Sequence, residues 1–113
     1  LLNRSRGDAG VDPVRHLGQL AFDAAESEAR VAGVPVRLTP KAAQLLGLLM
    51  RRPGQLVRRI EIEQALWGSV VPNADALRSQ VHWLRKALAD AGFDGIETAH
   101  GVGYRIVDKG ASR

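Results

Sequence analysis

The chain has 113 residues, 45% hydrophobic and 25% charged, which is enough for one globular domain and too little for two. It has no cysteine, which excludes a disulfide scaffold and a thiolate zinc site. It also has no apolar run near the roughly 20 residues that a membrane-spanning helix needs. Lys and Arg number 16 against 12 Asp and Glu, a net charge of +4, and 13 of the 16 cations are arginine. Residues 1–37 carry five arginines and five acids, so the whole excess lies in the remainder. A basic, arginine-rich stretch fits an anionic, phosphate-bearing partner, and a plain compositional preference for arginine is the competing account.

Residues 1–15 hold Gly7, Gly10, Pro13 and scattered charges with no apolar period, and read as a flexible tail or interdomain linker. The chain opens Leu1-Leu2-Asn3, without an initiating methionine or a signal-peptide core, and is expected to be a piece of a longer cytoplasmic protein. From Leu17 to Leu38 the pattern is β: Leu20 and Phe22 alternate with Ala21 and Asp23, and Arg30 to Leu38 reads as two short strands about a turn at Ala32-Gly33. Pro35 has no N–H to give a ladder, which puts its strand at a sheet edge.

Thr39-Pro40 opens a helix, Thr as N-cap and Pro pre-set at the first helical position. Ala42 stands where a capping box would place Glu or Gln. Ala42, Leu45, Leu46 and Leu49 form one apolar stripe, and Pro53-Gly54 ends the element. A second helix spans about Arg59 to Trp67, with Ile62, Ala65 and Leu66 inward and Gly68 as its stop; residues 68–74 form a loop. A third runs from about Ala74 to Ala89. Its Leu77, Val81, Leu84 and Leu88 fall within about 60° of one another at helical spacing. Asp75, Ser79, His82, Trp83 and Lys86 occupy the opposite face, and Arg78 and Arg85 share one flank. Beyond Gly92, Ile96 to Ile106 reads as a β-hairpin with a glycine-rich tip. Strands, three helices and a hairpin in that order make an α+β fold.

A helix with an apolar stripe, a polar outer face and flanking arginines fits the DNA major groove, about 12 Å wide, with the preceding helix as its brace. Any surface helix also has a polar face, so the pattern alone is permissive. Trp83 adds weight, because tryptophan is costly on a polar face. It is either partly covered by a neighbouring loop, or it contacts DNA sugar, a thymine methyl or a protein partner. His82 and His100 belong to the same surface; three histidines without cysteine make a poor zinc set, and no metal is expected. Gly101-Val102-Gly103 lacks the third glycine and the strand–loop–helix setting of a nucleotide fingerprint, and fits a tight hairpin with positive φ. No Ser/His/Asp set or carboxylate pair forms a catalytic motif, so neither an enzyme nor a cofactor is expected.

Several segments together resemble a known family. They are Leu38-Thr39-Pro40-Lys41 with Gln44-Leu45-Leu46, Met50 to Val57, Ala65-Leu66-Trp67-Gly68, Leu77-Arg78-Ser79, Leu84 to Leu88, Ile96-Glu97-Thr98 and Gly101 to Arg105. In this order and spacing they resemble the OmpR/PhoB-type winged-helix effector domain of two-component response regulators, over about residues 17–107. The resemblance implies an N-terminal four-stranded antiparallel sheet, three helices and a C-terminal hairpin wing, with residues 16–108 as the domain and 109–113 as a tail. It implies regulation of transcription by binding double-stranded DNA, at direct repeats and as a head-to-tail homodimer. It also implies a bacterial, cytoplasmic protein with a receiver domain ahead of the linker. The loop Ser69, Val70, Val71, Pro72 and Asn73 is the segment that such domains turn to RNA polymerase.

The expected DNA contacts combine both readings. Ser79, His82 and Trp83 lie toward base edges, with Asp75 as an acceptor for a cytosine amino group that would repel phosphate, while Arg78, Arg85 and Lys86 lie toward phosphates. The resemblance supports Arg85 as a phosphate contact and adds Thr98, His100 and Arg105 on the wing; Tyr104 reads as core. The chain departs from the family pattern at His100 and Trp83, where many members carry arginine or another polar residue. It departs also at Arg58, where Ser or Thr often caps the second helix, and at Ala43, where an aromatic is usual. The rival reading is a winged helix that uses the Trp83 face against protein. RNA is disfavoured for want of aromatic stacking platforms.

Overall fold

The computed structural model describes residues 14–108, so the expected tail 109–113 and most of the expected linker lie outside the described residues. The first four strands are β1 (Val14–Leu17), β2 (Leu20–Asp23), β3 (Glu28–Val31) and β4 (Val34–Val36). They form an antiparallel sheet in the order β1-β2-β3-β4. Strand β1 takes in Val14 and Arg15, two residues that the sequence reading left to the linker. Leu20 and Phe22 bury one face of β2 and pair with Val31 and Ala29, which bury the same face of β3. The β3–β4 hairpin closes through Ala32 (φ 53°) and Gly33 (φ 83°), the two positive φ values of a two-residue turn that follows strand twist. Pro35 sits in β4, the sheet's edge strand, as its missing N–H predicts.

Helix α1 (Pro40–Met50) begins as the sequence indicates: Thr39 Oγ1 accepts from the Ala42 N–H, and Pro40 fills the first helical position. Its apolar stripe is buried and includes Ala43. The small side chain there is matched by Gly47 one turn on, over which the Phe22 ring lies so closely that a Cβ would meet Cε2 at 3.0 Å. The aromatic ring of this layer is thus supplied by the sheet. A shallow groove of about 630 Å³, lined in part by Ala43, Gly47 and Ala65, remains open beside it.

Helix α2 (Arg59–Trp67) has no side-chain cap at Arg58, in line with the loss of Ser or Thr there. Its buried face is Ile62, Glu63 and Leu66. Ala65 is exposed, against expectation, and Glu63 is buried in its place. Glu63 is only 8% exposed, and its carboxylate meets Arg59 Nε at 3.4 Å, one helical turn away. At the other end, Lys41 Nζ donates to the Leu66 carbonyl and lies 5.8 Å from the Trp67 ring. That ammonium ties α1 to α2 and satisfies one of the end carbonyls a helix leaves open. Lys41→Met keeps the stem and removes the donor; a loss of about 1 kcal/mol is expected. An unchanged urea midpoint would remove Lys41 from this role.

Helix α3 (Ala76–Asp90) starts two residues later than the sequence suggests and ends one later. Asn73 Oδ1 accepts from the Asp75 N–H at 2.9 Å, and this local turn holds Ala74 and Asp75 outside the helix. Leu77, Val81, Leu84 and Leu88 are all buried, as their spacing requires. They join Leu45, Leu46 and Leu49 of α1 in a single core that continues to the first sheet.

Two short strands then form the hairpin, β6 (Ile96–Ala99) and β7 (Gly103–Ile106). A two-residue strand, β5 (Val57–Arg58), pairs with β7 just before α2, giving a second sheet in the order β5-β7-β6. The tip turns through Gly101 at φ 79°. Gly103 has an ordinary φ and is needed for another reason: a Cβ there would stand 2.0 Å from the Val57 carbonyl oxygen. The two glycines of the tip thus do different work, where the sequence suggested positive φ for both.

Candidate nucleic-acid interface

Helix α3 and the hairpin stand side by side and enclose an open cleft of about 350 Å³. Arg78, His82 and Arg85 line it from α3, Thr98 and His100 from the hairpin, and Arg59 from the start of α2. Among the described residues, none that lines it is acidic. Five of the nine expected contact residues therefore meet here. Arg59 was missed by the sequence reading, which used it only to mark the helix start. The Arg58-Arg59 pair at the N-terminal end of α2 was the available signal, since a helix N-terminus already favours an anion. The Arg59 N–H donates to the Val102 carbonyl at 2.9 Å and so joins α2 to the hairpin tip.

The three cations of the cleft are held differently. Arg59 leans on Glu63, and Arg78 lies 3.8 Å from Asp75 with both side chains largely in solvent. Such an exposed pair contributes little and leaves the guanidinium available. Arg85 is half-buried, and its Nη2 donates to Thr98 Oγ1 at 2.9 Å and to the Ile96 carbonyl at 3.2 Å. Tyr104 is half-buried in the cleft wall and packs on the core, in keeping with the core reading.

The remaining expected residues lie elsewhere. Ser79 is exposed on the outer face of α3. Trp83 is 55% exposed on the far flank of α3, with Lys86, beside a small groove shared with Leu38, Thr39 and Ala42. The His82 and Trp83 rings meet edge to face, 5.3 Å apart. Lys86 pairs with Asp90 at 3.6 Å. Arg105 is turned away from the cleft: it pairs across the hairpin with Glu97, Nε to Oε1 at 2.7 Å, on the face opposite Thr98 and Tyr104. Strand alternation accounts for this, because successive side chains of β7 point to opposite faces. In the α2–α3 loop, Ser69, Pro72 and Asn73 are exposed, Val71 is half-buried, and Val70 is 77% exposed.

A family described as transcriptional regulatory protein, C terminal, matches residues 33–106. The chain belongs to this family. It is the OmpR/PhoB-type effector domain that the motifs resemble. The family's winged-helix architecture is present throughout, with α3 as the exposed helix and β6–β7 as the wing. The transcriptional regulatory protein QseB of Escherichia coli O157:H7 is 39% identical over 111 residues, which span 96% of this chain and 48% of that protein. The response regulator protein PmrA of Pseudomonas aeruginosa is 36% identical over 90 residues, 79% of this chain and 39% of that protein. The chain thus spans less than half the length of either relative. Among solved structures, the DNA-binding domain of CpxR from E. coli superposes with a TM-score of 0.75 at 29% identity, covering 85% of this chain and 97% of that one. The DNA-binding domain of RstA from Klebsiella pneumoniae, solved with the RstA box, has a TM-score of 0.73 at 22% identity, covering 84% of this chain and 97% of that one, and supports the fold.

Proposed function

We propose that this chain binds double-stranded DNA with sequence preference, as the effector part of a response regulator that controls transcription in two-component signalling. The observation that carries the reading is the cleft between α3 and the wing in which Arg59, Arg78 and Arg85 converge and which no acidic residue among the described ones lines. Arg59 and Arg78 extend largely exposed guanidiniums into this concave surface, and such forked donors suit phosphates. Helix α3 enters the major groove with Ser79, His82 and Trp83 toward base edges, and Arg78 and Lys86 toward the two flanking backbones. The wing brings Thr98 to a phosphate and His100 to the adjacent groove, while Arg105, on the outer face of the hairpin, serves a more distant backbone contact. The exposed Val70 and its neighbours offer RNA polymerase a small apolar knob. A receiver domain ahead of residue 14, head-to-tail pairing on direct repeats and a bacterial cytoplasmic setting complete the reading. QseB and PmrA, regulators more than twice as long as the matched segment, support it.

Selection of duplexes from a random pool tests this directly. The expected product is a direct repeat with half-sites about one helical turn apart, bound with a steep dependence on salt. Binding that is insensitive to salt would point to the protein-interaction reading instead. On the selected duplex, His82→Ala is expected to relax base preference by about 1–3 kcal/mol at one position while leaving the salt slope unchanged. A preference that stays fixed would remove His82 from the base-reading set.

A further inference from the structure

Arg85 differs from the other two arginines of the cleft in what it touches. Arg59 and Arg78 extend largely exposed side chains, each with one carboxylate beside it. Arg85 is half-buried and spends one nitrogen on two acceptors of the same strand, the Thr98 hydroxyl and the Ile96 carbonyl. That strand, β6, is the edge of the wing sheet. A guanidinium laid on an edge carbonyl covers a group that would otherwise face solvent, and fixes the distance between α3 and the strand. The bond also settles the orientation of Thr98. A guanidinium only donates, so the Thr98 oxygen must accept from it. The single hydroxyl proton of this exposed side chain is then left to donate to another acceptor, such as a phosphate oxygen.

We infer that Arg85 is a positioning residue: it pins the wing to α3 and presents the Thr98 hydroxyl as a donor, rather than neutralising a phosphate itself. The inference rests on the duplex-binding reading above, but the pin can be tested without DNA. The wing keeps other supports when Arg85 is lost, namely the β5–β7 pairing and the Arg59 N–H on the Val102 carbonyl. Removing Arg85 therefore frees the angle of the wing and leaves the wing itself folded.

Two measurements decide it. The chain contains no cysteine, so Ala89→Cys and Val102→Cys place spin labels only at the end of α3 and at the wing tip. In the free protein, Arg85→Ala and Thr98→Val are each expected to broaden the distance distribution between the labels. An unchanged distribution in both overturns the pin. On the selected duplex, each single change is expected to weaken binding about tenfold, the scale of one charged hydrogen bond. The double change should be no weaker than Arg85→Ala alone, and the salt slope should match the wild type. A slope shallower by about 0.9, with losses that multiply in the double variant, would make Arg85 a phosphate contact and overturn the inference. If the wild-type chain bound no duplex at all, the proposed function would fall, and the spin-label distances would still decide the role of Arg85.

Discussion

Gly103→Ala is expected to destabilise the domain by about 3 kcal/mol, toward the upper end for inserting a methyl group into packed structure. The added carbon would lie 2.0 Å from the Val57 carbonyl oxygen and 2.9 Å from Arg58 Cα. Both are backbone atoms, so no rotamer change relieves the clash. The pairs Val57↔Tyr104 and Arg58↔Gly103 would have to open, and with them the whole of β5. Gly101→Ala is the control. That residue has φ 79° but no atom within 4 Å of the added carbon. Its cost is conformational alone, about 1–2 kcal/mol. Urea unfolding of the two variants separates the effects, and equal losses would show that close approach at Gly103 is not the constraint. The consequence for function follows from chain order. Strand β5 runs directly into α2, so opening it releases Arg59 from the wing tip and flattens the cleft on one side.

The parts of this molecule that sequence makes legible are those where a local rule acts without a distant partner. Thr39-Pro40 starts α1 because a hydroxyl acceptor and a preset φ suffice at a helix N-terminus. The Leu77–Leu88 stripe is buried because spacings of four, three and four allow no other face inward. Ala32-Gly33 turns where it does because two positive φ values match the twist of the strands. What escaped is set by pairing between particular residues, which no period announces. A strand of two residues has no period of its own, and β5 exists only because β7, about 45 residues later, pairs with it. Ala65 and Glu63 exchange places on α2 because Arg59 makes a buried carboxylate tolerable. Arg105 follows Glu97 to the outer face of the wing, a cross-strand match that neither residue announces alone. Of the candidate site, α3 supplied its residues by phase. The convergence of Arg59 with Arg78 required the tertiary fold.

That convergence yields the largest functional effect expected of this surface. Arg59→Gln with Arg78→Gln is expected to weaken duplex binding by about a hundredfold or more, since each charged hydrogen bond to phosphate contributes about 1.5–3 kcal/mol. The salt slope should become shallower by about 1.8, one released counterion per arginine. Both effects should be equal for the selected duplex and for a random one, because phosphates carry no base identity. Stability has to be followed alongside. Arg78 and Asp75 are both solvated, so losing that pair costs little. Arg59 is the cation beside a carboxylate that is nearly enclosed, and its removal takes that ion pair from Glu63 at a cost in stability. The single variant Arg78→Gln therefore isolates the electrostatic effect from the fold: half of the slope change with an unchanged urea midpoint. Should the double variant bind duplex as tightly as the wild type and with the same slope, the cleft would not be the seat of the phosphate backbone. The Trp83 flank of α3, turned toward a protein, would then account better for the exposed tryptophan.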